Sequence, residues 1–319
     1  MRPTGPLHLG HWVGALENWV KLQNTHETFY VIVDWHALTT DYSDPSEIRQ
    51  NIRHVALDWL AAGIDPEKST MFVQSDVKEH AELHLLLSMV VPLPWLERVP
   101  SYKEQQEQLR EKELNTYGFL GYPLLQAADI LAYMADFVPV GEDQVPHLEL
   151  TREIARRFNH FFGPIFPEPQ ALLTHSPRLA GTDGRKMSKS YGNAIYLKDP
   201  PEVIDKKVDG MLTDPARTHR HIPGTPSICP VFQTHGVFST PEVVAWADEG
   251  CRTAGIGCRD CKAALKKSLT ARLSTLAERR QSFERDPQAL GTILSRGAEK
   301  ARELACRTLA QVREAMGIG

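Results

Sequence analysis

The run Phe29-Tyr-Val-Ile-Val33 is apolar, rich in β-branched and aromatic residues, and ends at the polar Asp34. A short run of this kind reads as a strand buried on both faces. The next thirty to forty residues narrow the fold sharply. The apolar residues Ile48, Ile52, Val55 and Trp59 recur at three- and four-residue spacing, and a second short strand, Thr70-Met-Phe-Val73, comes after them. Strand, helix and strand in that order predict a right-handed crossover and a parallel pair. Asp44, Pro45 and Glu47 are placed to cap the helix at its start, and Gly63 to close it. Further helices are predicted over 78–91, 103–115, 123–134 and 146–161, with a strand over Phe137–Val140. The chain therefore predicts an α/β fold, a Rossmann-like doubly wound parallel sheet with its ligands at the carboxyl ends of the strands.

The pattern changes after Gly163, where Pro and Gly become frequent, and again after Asp199-Pro-Pro201; residues 262–316 read as almost wholly helical. These shifts divide the 319 residues into a catalytic domain over 1–170, a linker and basic loop over 171–200, and a helical C-terminal domain over 201–319. The net charge of −4 is unevenly spread. Residues 201–319 hold 18 basic and 14 acidic side chains, against 18 and 26 in residues 1–200. A basic C-terminal part suits a polyanionic partner, although chance scatter of surface charge accounts for the numbers equally well. No apolar run approaches the roughly 20 residues of a membrane span, so no membrane partner is expected. The N-terminal residues lack a secretory pattern, which predicts a cytoplasmic protein.

Two short motifs carry chemistry. His8-Leu-Gly-His11 opens an amphipathic helix over 11–23 with an apolar stripe of Trp12, Leu16, Trp19 and Val20. Two histidines three apart share one side of a helix start, where free N–H groups and the dipole favour phosphate. Gly10 between them lets a flat base approach the backbone. Gly184-Arg-Lys-Met-Ser-Lys-Ser190 places Lys186 and Lys189 in a loop, where mobile ammonium groups suit a leaving pyrophosphate. A capping turn and a solvated basic loop are the plainer readings of each motif alone. There is no Gly-x-Gly-x-x-Gly and no Walker-type sequence, which argues against dehydrogenases and P-loop enzymes.

Cys229, Cys251, Cys258 and Cys261 follow the spacing C-x21-C-x6-C-x2-C. In a chain without a signal peptide this favours a metal site over disulfides. The last pair can chelate within one turn and four thiolates complete a site, for which spacing leaves zinc and a 4Fe–4S cluster comparable. Cys306, alone on a helix, is predicted to pack as a small hydrophobe.

The two motifs together, with Val33-Asp-Trp-His-Ala-Leu-Thr39, Ala127-Ala-Asp-Ile-Leu131, Gly141-Glu-Asp-Gln144 and His147-Leu-Glu-Leu-Thr-Arg152, resemble the bacterial tryptophanyl-tRNA synthetases of class I over the whole chain. The resemblance implies ATP-dependent activation of L-tryptophan with Mg2+, transfer to tRNA(Trp), a C-terminal domain that reaches the anticodon, and a homodimer. It implies ATP contacts from Arg2, Thr4, His8, Gly10, His11, Gly141, Asp143, Lys186, Met187, Lys189 and Ser190, with His8, His11, Lys186 and Lys189 in the chemistry. Tyr122, Gln126, Gln144 and His36 match amino-acid contacts, and Asp129 matches the carboxylate that accepts the indole N–H. The chemistry agrees, since indole nitrogen is a donor only; a structural contact is the plainer role for Asp129. A subset of the family carries a 4Fe–4S cluster on a nearly identical cysteine pattern, which selects iron–sulfur over zinc. In that family a strand precedes the segment matching Met1-Arg-Pro-Thr-Gly5, so a central strand is expected upstream. Tyrosyl-tRNA synthetase and a non-catalytic tRNA- or partner-binding paralogue are the competing readings.

Overall fold

The computed structural model describes residues 1–100, 102–103, 112–173 and 179–319, with the side chain of Ser190 outside that set. Of the helix predicted over 103–115, residues 104–111 lie outside it, and 112–115 are not helical. Strand β1 (Thr28–Ile32) pairs in parallel with β2 (Ser69–Val73), in register from Thr28 opposite Ser69 to Ile32 opposite Val73. The helix Ile48–Ala62 makes the crossover between them. Strand β3 (Phe137–Val140) pairs in parallel with β4 (Gln170–Leu173), and the helix Val145–Phe162 is their crossover.

The parallel, Rossmann-like architecture is thus present, but as two two-stranded sheets among the described residues. The edge of β1 is met by Met1, whose amino group donates to the Val31 carbonyl at 2.5 Å and whose carbonyl accepts from the Val33 N–H at 3.0 Å. Aromatic contacts span the two halves. Phe29 stacks on Tyr133 with centroids 5.0 Å apart, and His26 meets Phe137 edge-on at 5.9 Å.

The crossover helix ends as its sequence predicts, with Gly63 left-handed at φ +106°. Its start differs. Asp44 accepts from the Ser46 N–H at 3.2 Å and hydroxyl at 2.6 Å, so its oxygen is taken up in a local turn and the helix begins at Ile48. The N-terminal helix also carries a surprise: Leu9–His11 and Glu17–Leu22 are joined by a π turn, Trp12–Leu16. A π turn inside a helix frequently marks a functional position.

Two long helices, Cys258–Glu284 and Pro287–Met316, dominate the C-terminal part. The first inserts Leu265, Leu269, Leu273 and Leu276 into one core with Leu7, Leu9, Leu16, Leu57 and Trp59. The second lies over β2 so closely that a Cβ at Gly297 would stand 1.8 Å from the Met71 carbonyl oxygen. Thr308, on the same helix, donates to the Ala132 carbonyl at 2.8 Å. Cys306 does not pack as a hydrophobe: it is exposed, with its thiol 3.2 Å from a Glu79 carboxylate oxygen. The polar face of the helix carries it there. Among the described residues no helix is long and apolar enough to cross a membrane.

Candidate functional site

The first cluster forms where the N-terminal segment meets the basic loop. Leu7 to Leu9 pair with Ile195 to Leu197: the Leu9 N–H donates to the Ile195 carbonyl at 3.0 Å, and the Leu197 N–H to the Leu7 carbonyl at 2.8 Å. This pairing brings the residues before the first helix beside a loop almost two hundred positions away. The His8 and His11 rings meet at a tilt of 45° with centroids 3.8 Å apart, and His11 Nδ1 accepts the His8 N–H at 3.2 Å. His8 Nδ1 is buried and has no partner. A Cβ at Gly10 would sit 3.0 Å from the His8 ring, so glycine is what lets the ring lie there.

Lys189 reaches this cluster. Its Nζ donates to the Gly5 carbonyl at 2.6 Å. Burial pulls its pKa down to about 8, against the opposing pull of Asp58. Burial, with the charges of Lys189 and Lys186 adding to it, pulls His8 down to about 4. Burial and the neighbouring His8 lower His11 further still. Both rings are therefore neutral near pH 7, one orphaned nitrogen is available, and the nearby positive charge comes from lysine. That is a setting for a polyphosphate.

The loop has an organiser that the sequence did not signal. Asn193, 2% exposed, accepts from the Ser188 N–H at 2.9 Å and donates to Asp183 at 2.7 Å and to the Lys186 carbonyl at 3.1 Å. Met187 is buried and its N–H donates to the Leu179 carbonyl at 3.0 Å. Lys186 stays exposed. The Ser190 side chain lies outside the described residues. Thr4 is exposed, and Arg2 donates to the Thr40 hydroxyl. Gly141 precedes the short 3-10 helix Glu142–Gln144; a Cβ there would be 2.7 Å from an Asp143 carboxylate oxygen. Gln144 donates to Asp143 at 3.1 Å.

The second cluster surrounds Asp129, whose side chain is 10% exposed. His80 Nδ1 lies 2.6 Å from Oδ1, His36 Nε2 lies 2.9 Å from Oδ2, and Gln74 Nε2 donates to both oxygens at 2.7 and 2.9 Å. The Tyr133 hydroxyl holds the far nitrogen of His80. Burial works against ionisation of Asp129, but His80 and the hydrogen bonds from His36 and His80 outweigh it and keep the carboxyl well below its ordinary range. Sequence reading found His36 and missed His80, Gln74 and Tyr133. Gln74 and His80 sit at and just beyond the carboxyl end of β2, where the crossover rule places ligand residues, so position alone would have singled them out. Tyr122 packs against His147 at 5.7 Å, and His147 Nδ1 lies 2.7 Å from Gln126 Oε1.

The four cysteines converge from three elements. Cys229 precedes the helix Pro230–Phe238, Cys251 is on the helix Pro241–Arg252, and Cys258 and Cys261 occupy the first turn of Cys258–Glu284. All four line one cavity of about 20 Å³ with Arg217, which approaches the Cys251 sulfur at 3.6 Å. Burial and the other three thiols push Cys261 up to about 12. A single zinc ion needs its sulfurs about 2.3 Å from the metal, hence under about 4 Å from one another. No three His, Cys, Asp or Glu side chains among the described residues are grouped to hold one ion.

Comparison with known proteins identifies the family. The profile of a family described as tRNA synthetases class I (W and Y) matches residues 1–274. The chain is 54% identical to the tryptophan–tRNA ligase of Thermotoga maritima, across 100% of this chain and 98% of that protein. It is 45% identical to the corresponding ligase of Ralstonia nicotianae, across 100% and 97%. It superposes on the crystal structure of the Campylobacter jejuni tryptophanyl-tRNA synthetase complexed with ADP and tryptophan with a TM-score of 0.91, at 33% identity, covering 100% and 98% of the two chains.

Proposed function

This chain belongs to the class I tRNA synthetases of the tryptophan and tyrosine family and is a tryptophan–tRNA ligase; on that premise we propose how its residues divide the work. ATP lies across the His8–His11 cluster, its triphosphate accompanied by Mg2+, with Gly10 leaving room for the nucleotide. Gly141 and Asp143 face the ribose, and Arg2 and Thr4 border the site. Tryptophan enters with its indole toward Asp129 and its ammonium toward Tyr122 and Gln144, with Gln126 beside them. The tryptophan carboxylate attacks the α-phosphorus, pyrophosphate leaves, and Lys186, Lys189, Met187 and Ser190 hold the departing group. A hydroxyl of the tRNA 3′ end then displaces AMP from the adenylate. Positioning and charge stabilisation supply the catalysis, and no side chain needs to act as a strong base.

The observation that carries this division is the union of His8, His11 and Lys189 in one half-buried cluster, one orphaned imidazole nitrogen included. Asp129 supports the choice of amino acid. A buried, ionised carboxylate has acceptor capacity for a donor, and three protein donors already meet it. The indole N–H would replace one of the two 2.9 Å contacts to Oδ2, from His36 or from Gln74. Phenylalanine offers no donor for this carboxylate, so it gains nothing from it. Exchange of labelled pyrophosphate into ATP tests the reading: it should depend on tryptophan and not on tyrosine.

The cysteines would hold a 4Fe–4S cluster, which supplies a rigid four-point anchor when bound. It would fix Arg252 and Arg259 for contact with tRNA(Trp) backbone. Lys262 is not available for that purpose, because its ammonium caps the Asp209 and Met211 carbonyls, each at 2.7 Å. A homodimer in the cytoplasm completes the reading. Leu85, Met89, Leu93 and Phe161 are all more than half exposed, beside Trp95 and Arg157, and offer a surface for a second copy.

A further inference from the structure

The buried ion pair between Asp58 and Arg280 joins the two ends of the molecule. Asp58 lies on the crossover helix and is fully buried, and Arg280 lies near the end of Cys258–Glu284 and is 5% exposed. Arg280 Nε donates to Asp58 Oδ1 at 2.8 Å, and Arg280 Nη2 lies 3.1 Å from His54 Nδ1. The Glu284 carboxylate takes Arg280 Nη1. The second Asp58 oxygen is not spent on arginine. It accepts the backbone N–H of Leu7 at 3.0 Å.

Leu7 is the residue before His8, and its own carbonyl is taken by Leu197. Its position is therefore fixed from two sides, by the basic-loop strand and by Asp58. Asp58 also attracts Lys189. Burial pushes the Asp58 carboxyl upward, and the Arg280 guanidinium held against it is the chief influence opposing that and fixing its aim. The guanidinium that does so belongs to a helix of the C-terminal part, more than two hundred residues away in sequence.

We propose that Arg280 is a positioning residue for adenylate formation, acting through Asp58 on the Leu7–His8 backbone and on the charge around Lys189. This inference rests on the assignment of His8, His11 and Lys189 to the ATP phosphates. It assigns no contact with tryptophan, whose proposed acceptor Asp129 is held by His36, Gln74 and His80 instead.

The test is tryptophan-dependent pyrophosphate exchange in the full chain, wild type against Arg280→Gln and Arg280→Lys, with folding followed by circular dichroism. Displacing a reacting group by about 1 Å costs on the order of 100-fold, so Arg280→Gln should lower kcat roughly 10- to 100-fold. The KM for tryptophan should stay within about twofold, because only the phosphate side moves. Arg280→Lys keeps a charge on Asp58 but loses the fork that aims it, and should fall between wild type and Arg280→Gln. A folded Arg280→Gln with wild-type kcat overturns the proposal. Where Arg280→Gln does not fold, Arg280→Lys decides: a lowered kcat at unchanged tryptophan KM supports the proposal, and an unchanged kcat overturns it. Wild-type exchange that Lys189→Ala leaves untouched would instead remove the phosphate assignment itself.

Discussion

The Lys189 ammonium donates to the Gly5 carbonyl at 2.6 Å, so the basic loop is docked on the N-terminal segment. Gly5 has φ +127°, and a Cβ there would lie 3.4 Å from the lysine side chain, so backbone and lysine are fitted to each other. ATP phosphates would compete with that carbonyl for the ammonium. Lys189→Ala should therefore lower the adenylation rate while leaving tryptophan affinity nearly intact, because its charge acts on the developing pyrophosphate. Rapid-quench adenylation and tryptophan titration separate the two effects.

The same lysine predicts a pH dependence. Its pKa is pulled down to about 8, so the free enzyme carries the charge below that pH and loses it above. The kcat/KM for ATP should fall as pH rises through about 8, since that ratio reports the free enzyme. In Lys189→Arg, which stays charged, the descending limb should disappear. A descending limb retained in that variant would assign the titration to another group.

Asp129→Asn should weaken tryptophan binding far more than ATP binding. A hydrogen bond to a charged group contributes roughly 1.5–3 kcal/mol, equivalent to about 10- to 150-fold in affinity. The variant also leaves His36 and His80 facing a neutral amide, so some stability should be lost with it. An unchanged tryptophan KM would take Asp129 out of the pocket.

Gly10→Ala should separate stability from activity. Alanine is favoured over glycine within a helix by roughly 0.5–1 kcal/mol, so the melting temperature should hold or rise. Its methyl would meet the His8 ring at 3.0 Å and displace it. The KM for ATP should rise as a result, with that for tryptophan little changed. A variant with unaltered ATP kinetics would show that the ring position is not used.

Protein purified without oxygen should be brown and contain about four iron and four sulfide per chain. Cys258→Ser combined with Cys261→Ser should remove the colour and weaken tRNA charging, while pyrophosphate exchange largely survives. Stoichiometric zinc in a colourless preparation would replace the cluster with a zinc site, and a metal-free preparation would exclude both.

Legibility in the sequence depends on range. Gly63 as a helix stop and the parallel pairing of β1 with β2 are local patterns, and each is found in the structure. Asp44 misled because two local outcomes competed for one carboxylate, and the bond to Ser46 won. The π turn at Trp12–Leu16 has no periodic signature in so short a helix. Asn193 and the Asp58–Arg280 pair depend on contacts between segments that nothing in their own neighbourhoods announces. Cys306 was misplaced because a lone cysteine gives composition and no direction.

The seat of Gly297 against Met71 bears on how the molecule comes apart. Nothing larger than a hydrogen fits between that helix and β2, and the leucines of the preceding helix share a core with Trp59 and Leu7. Neither long helix can peel away without exposing the strands and the first residues of the chain. Heating should therefore give one calorimetric transition, and Gly297→Ala, by an overpacking cost of about 1–3 kcal/mol, should lower its midpoint. Loss of the two long helices would then be an unfolding event for the catalytic half, and a shortened chain could not survive as a simpler activating enzyme.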